Sequence, residues 1–180
     1  MKKEGGAIML LCVSIMFIFL ITSLVVYYTY IKRKRLSPMV AMIISMTNSM
    51  MTSVALGTFL GIFILEKDLT LPTIIAVSMG MFVGYITGRP VSLIASLEGM
   101  TAGVMGGMMG AMLGVMVPPH HTEVIICFID VVYLLVNMVL FRVISEETNS
   151  SRFISMFLHV FFVLVLIGFL VWLNFLYFFN

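Results

Sequence analysis

Residues 91–117 read VSLIASLEGMTAGVMGGMMGAMLGVMV. One ionisable side chain, Glu98, interrupts an apolar run long enough to cross a bilayer core about 30 Å thick, which needs roughly 20 helical residues. Outward from it the same pattern recurs. The predicted spans are Ala7–Ile31, Pro38–Leu65, Leu71–Gly88, Val91–Val117, Val124–Ile144 and Phe153–Phe178. With 62% of its 180 residues hydrophobic and 10% charged, the chain lacks the polar surface that a soluble domain needs. The expected fold is all-α: a single integral membrane domain over residues 1–180, built as a polytopic transmembrane bundle of six helices in a plasma membrane.

The net charge of +2 is spread along the chain and forms no basic face, so nucleic acid is not an expected partner. The bilayer is, with a second copy or a membrane partner protein as further candidates. Cys12 and Cys127 lie inside apolar stretches and read as small buried hydrophobes, not as an extracellular disulfide framework. Lys2, Lys3 and the first apolar run resemble a signal peptide in outline. That run is too long for a signal core, and the cluster Lys32, Arg33, Lys34, Arg35 acts as a stop-transfer signal, so the first span is expected to stay.

Lysine and arginine set the orientation, because they are retained on the cytoplasmic side. With six spans one side receives Lys32, Arg33, Lys34, Arg35, Arg89, Arg142 and Arg152, and the other Lys2, Lys3 and Lys67. Both termini are therefore expected outside, as are Glu66, Asp68, His120, His121 and Glu123. The sequon at Asn149 then lies on the cytosolic face and is not read as glycosylated. The last span, rich in phenylalanine and holding Trp172, reads as a lipid-facing helix with an aromatic anchor.

Glycines recur three or four residues apart: Gly57 and Gly61; Gly80, Gly84 and Gly88; Gly99, Gly103, Gly106, Gly107, Gly110 and Gly114. Such spacing puts them on one helical face, where a neighbouring backbone can come close. Spans two, three and four are expected to form a tight inner bundle.

Methionine is the unusual residue, at 18 of 180. Met39, Met42, Met46 and Met50 form a stripe on span two. Met100, Met105, Met108, Met109, Met112 and Met116 do so on span four, with Met79 and Met81 on span three. Thioethers stacked between close helices are soft, uncharged ligands that prefer Cu(I) over Zn(II), Mg(II) or Ca(II). His120 and His121, beside Glu123 at the outer end of span four, would capture the ion and pass it inward. The metal candidates are thus Met46, Met50, Met100, Met105, Met108, Met109, Met112, Met116, His120 and His121, with Cu(I) as the implied ion. The competing reading is that methionine fills space beside glycine.

The segment Gly88-Arg89-Pro90-Val91-Ser92, then Ala95-Ser96-Leu97-Glu98-Gly99-Met100, then Ala102 to Met116, resembles the membrane portion of small bacterial membrane proteins that often carry an extracellular cupredoxin-like domain. The resemblance runs over roughly Met39 to Val117. It implies a copper-related role in a bacterial plasma membrane. No stretch of this sequence supplies the His, Cys, His and Met set of a blue-copper site, so electron transfer of that kind is not expected.

Two acids lie at membrane depth. Glu98 sits about 10 Å from the start of span four at 1.5 Å per residue, and Asp130 is similarly deep in span five. Buried charge costs several kcal/mol unless paired, protonated or hydrated. Glu98 is a candidate proton or cation carrier, with hydrogen bonding to Ser45, Asn48 or Ser92 as the structural alternative. Asp130 and Asn137, one heptad apart, read as a seam that joins helices. No triad, HExxH, Walker or CxxC arrangement occurs, so an enzyme is not expected. Three functions remain: soft-metal (copper) handling or transport, a non-catalytic membrane scaffold or assembly subunit, and a proton-coupled small-solute transporter using Glu98.

Overall fold

The computed structural model describes residues 2–33, 35–63, 69–118 and 122–148. These residues form five helices and no strand: α1 (Lys2–Lys32), α2 (Pro38–Phe63), α3 (Thr70–Gly88), α4 (Leu93–Met116) and α5 (Thr122–Thr148). All five contain a stretch long and apolar enough to cross a membrane, so the chain is a multi-pass membrane protein by the length and composition of its helices. The sixth expected span, Phe153–Phe178, lies outside the described residues, as do His120 and His121.

Local chemistry sets the helix ends. Pro38 opens α2 at the position where a missing N–H costs nothing, and the Ser37 hydroxyl accepts from the Val40 N–H at 3.4 Å. The α3–α4 connection is a tight turn, in which the Val91 and Ser92 N–H groups both donate to the Gly88 carbonyl. Ser92 then caps α4, its extended backbone placing the hydroxyl to accept from the Ala95 N–H at 3.1 Å. Past Met116 the chain turns extended at Val117, just before Pro118.

The middle of the fold is α2, α3 and α4, packed backbone to backbone. A Cβ placed on Gly99 would lie 2.9 Å from the Gly84 Cα, and one on Gly80 would lie 2.9 Å from the Gly103 carbonyl oxygen. Only glycine allows helices this close. Serines of α2 complete the contact: Ser45 Oγ donates to the Gly84 carbonyl at 2.9 Å and Ser49 Oγ to the Gly80 carbonyl at 2.7 Å. Both pairs are four residues apart on each helix, so one hydroxyl ladder fixes the register of α2 against α3. The inner bundle expected from the glycine spacing is present.

α1 and α5 pack on the other side of α2 through larger side chains. Ile18, Ile21 and Val25 of α1 meet Ile44, Ala55 and Phe59 of α2 and Ile126, Tyr133 and Ile144 of α5 in one buried cluster. Among the described residues α4 touches α2 and α3 but neither α1 nor α5. One long face of α4 is therefore left outside.

Candidate functional site

The open face of α4 gathers residues of one kind. At 100° per residue, Glu98, Thr101, Met105, Met108, Met109, Met112 and Met116 fall within an arc of about 100°. The glycines Gly99, Gly103, Gly106, Gly107, Gly110 and Gly114 fill the opposite arc and are all buried. The five methionines of this stripe are exposed, from 54% at Met108 to 70% at Met116.

This corrects one expectation. The thioethers of α4 do not lie between close helices, because the glycines occupy that side and leave no room for a long side chain. Their alignment with each other does hold: Met105, Met109, Met112 and Met116 succeed one another at helical spacing, and Met108 flanks them. Residues three and four apart have Cβ atoms about 5–6 Å from each other. A three-bond thioether side chain closes that gap, so neighbouring sulfurs of one helix can reach a common soft ion. Met46 on α2 is exposed, while Met50 on α2 and Met100 on α4 are half-buried and off this stripe.

Glu98 stands at the Leu93 end of the same face and is exposed. The groups expected to bond it point elsewhere: Ser45 donates to the Gly84 carbonyl, Asn48 Nδ2 to the Thr87 hydroxyl at 3.3 Å, and the Ser92 hydroxyl accepts from the Ala95 N–H as the α4 cap. Its nearest polar neighbour along the stripe, Thr101, donates to the Glu98 backbone carbonyl at 2.9 Å and leaves the carboxylate open. A carboxylate at this depth needs water, a counter-ion or a proton, and not bare hydrocarbon.

Asp130 belongs to a different place. Ser14 Oγ of α1 donates to Asp130 Oδ2 at 2.6 Å, and further along the seam Thr22 bonds Tyr133 Oη at 2.9 Å and Thr52 Oγ1 at 3.1 Å. Asn137 Nδ2 donates to the Tyr133 carbonyl at 2.9 Å. The seam joins α1, α2 and α5 through Asp130, Tyr133, Thr22 and Thr52, while the Asn137 amide bonds back to its own helix. Two of its buried oxygens, Asp130 Oδ1 and Asn137 Oδ1, have no donor among the described residues, and neither has Asn48 Oδ1 between α2 and α3. Sequence patterning did not find Tyr133 or Thr22, since their bond joins residues 111 positions apart.

Among the described residues no three His, Cys, Asp or Glu side chains cluster as a hard- or borderline-metal site. Thioethers are what the α4 face offers. Comparison with known protein families, curated proteins and solved structures finds no match to this chain.

Proposed function

We propose that this chain is a six-span plasma-membrane protein of bacteria, with both termini outside, that handles or transports Cu(I) along the open face of α4. The reading is supported by five methionines and one carboxylate that share a single exposed stripe along α4. Convergence of methionines from different helices, which copper handling also calls for, is not what this outward face provides, and an outward stripe equally suits an assembly subunit. Thioethers hold a soft ion at any physiological pH and carry no charge into the bilayer. In sequence order the stripe leads from His120 and His121 through Met116, Met112, Met109, Met108 and Met105 to Glu98. The imidazoles would capture the ion, the thioethers pass it on, and the carboxylate receive it at the far end. Met46, Met50 and Met100, being off the stripe, have a secondary part in this scheme.

A second reading draws on the glycine packing. A rigid three-helix core with one soft, adaptable face outward is also what a non-catalytic assembly subunit needs to hold another membrane helix. Cu(I) binding to the detergent-purified protein separates the two. The comparison is wild type against a variant with Met105, Met108, Met109 and Met112 all changed to Leu, a swap that keeps volume. Copper handling requires binding in the wild type that falls at least about tenfold in the variant, or about 1.4 kcal/mol. A wild type that binds no Cu(I) removes the copper reading and leaves the assembly subunit.

A further inference from the structure

Between the Lys32 end of α1 and the Gly88 end of α3 lies a cleft of about 420 Å³, lined by Tyr30, Arg33, Tyr85, Ile86, Arg89 and Pro90. Two guanidinium groups face it, each held on its own tyrosine. The Arg33 Cζ lies 5.2 Å from the Tyr30 ring centroid and the Arg89 Cζ 5.3 Å from the Tyr85 ring centroid. Spacings of three and four residues put each tyrosine one turn before its arginine, so the stacking is set by helix geometry. No carboxylate neutralises either arginine among the described residues. Both follow directly on the end of an apolar, membrane-length helix, Lys32 for α1 and Gly88 for α3, where a span of that length meets the headgroups.

The rest of the lining is mostly apolar and includes Ile86, and the exposed Tyr27 and Phe82 lie one helical turn before Tyr30 and Ile86 on α1 and α3. A ligand for this cleft needs a compact anion for two guanidinium forks and hydrocarbon below it. A stacked arginine presents its donor edge outward in the plane that bidentate phosphate recognition uses.

We propose that the α1–α3 cleft binds the phosphodiester headgroup of an anionic membrane phospholipid, with Arg33 and Arg89 clamping the phosphate and the acyl chains running down past Tyr27 and Phe82. Basic pockets between transmembrane helices are suited to such headgroups, and each basic residue near an anionic surface contributes enough for two to give roughly a thirtyfold preference. The site is independent of the metal reading, since it shares no residue with the α4 stripe.

The experiment measures lipid retained by the full chain after detergent extraction from mixed phosphatidylglycerol–phosphatidylcholine vesicles, together with the thermal shift each lipid produces. Wild type should retain phosphatidylglycerol over phosphatidylcholine by roughly thirtyfold and gain thermal stability from the former alone. Changing Arg33→Gln and Arg89→Gln together should abolish both effects. The charge-matched variant Arg35→Gln with Arg142→Gln should keep them. Arg33→Lys with Arg89→Lys retains the charges that orient the helices but not the stacked forks, and should weaken retention even where the Gln pair fails to insert. An equal thermal shift from inorganic phosphate overturns the lipid assignment. Equal loss in the Arg35 and Arg142 variant, or full retention in the lysine variant, reduces the effect to general surface charge and overturns the proposal.

Discussion

Gly84 of α3 and Gly99 of α4 face each other so closely that a Cβ on Gly99 would sit 2.9 Å from the Gly84 Cα. Contact at this range joins the two backbones directly, with the small Ser45 hydroxyl of α2 reaching in beside them. Gly84→Ala therefore tests two opposed effects. Alanine favours the helix by about 1 kcal/mol over glycine, whereas overpacking a tight contact costs typically 1–3 kcal/mol. Here the neighbour is backbone and cannot give way, so the variant should be net destabilised, read as a lower unfolding midpoint in detergent. An unchanged or raised midpoint would mean that α3 and α4 lie farther apart.

The hydroxyl ladder should matter less than the glycines it accompanies. Ser49→Ala removes the 2.7 Å bond to the Gly80 carbonyl, an interhelical bond of a kind worth about 0.6 kcal/mol on average. The carbonyl keeps its helical partner and is not orphaned. The same unfolding assay should show Ser49→Ala well above Gly84→Ala, and a reversed order would assign the register to hydrogen bonds in place of close approach.

On the other side of α2, Tyr133 joins three helices. Its hydroxyl pairs with Thr22, which also bonds Thr52, and donates to the Ile18 carbonyl at 3.3 Å. Tyr133→Phe keeps the ring in the buried cluster and removes that hub, with an expected loss of about 1 kcal/mol. In the Thr22→Val background the effect should shrink, because the shared bond is already gone. Full additivity would show that the seam is not a network.

Much of this was legible from spacing. Glycines three and four apart announced the contact surfaces of α2, α3 and α4, and Asp130 with Asn137 announced a polar seam. The same wheel holds a point that soft-ligand chemistry obscured. On α4 glycine and methionine occupy opposite arcs, so helices that close on the glycines must leave Met105, Met109, Met112 and Met116 outside. Depth along the chain marks Glu98 as unusual, but its angle on the helical wheel is what places it on the methionine face. Tyr133 with Thr22, and Arg33 beside Arg89, depend on which helices become neighbours, and periodicity within one helix carries no such information.

Orientation can be read without any metal. Ser37→Cys lies at the end of the bundle that carries Lys32, Arg33 and Arg35, and Pro118→Cys at the opposite end, with Cys12 and Cys127 replaced by Ala. If the basic end is cytoplasmic, a membrane-impermeant maleimide should label Pro118→Cys on intact cells and Ser37→Cys only after lysis. The inverse pattern would place the amino terminus inside and reverse the direction from His120 to Glu98.

The pH dependence of Cu(I) binding distinguishes the groups of the α4 stripe. Thioethers carry no proton in this range, so a site built from Met105, Met108, Met109 and Met112 should hold Cu(I) with one affinity from pH 8 to pH 5. Imidazoles ligate only when neutral. A site that relied on His120 and His121 would weaken as acid protonates them. The expected profile is thus flat for the equilibrium affinity. The capture rate at limiting Cu(I), in contrast, should fall with acid if the histidines receive the ion first. His120→Ala with His121→Ala should remove that fall in rate and leave the affinity where it was. An affinity that drops with acid in the wild type, and no longer drops in the histidine variant, would move the metal from the methionines of α4 to His120 and His121.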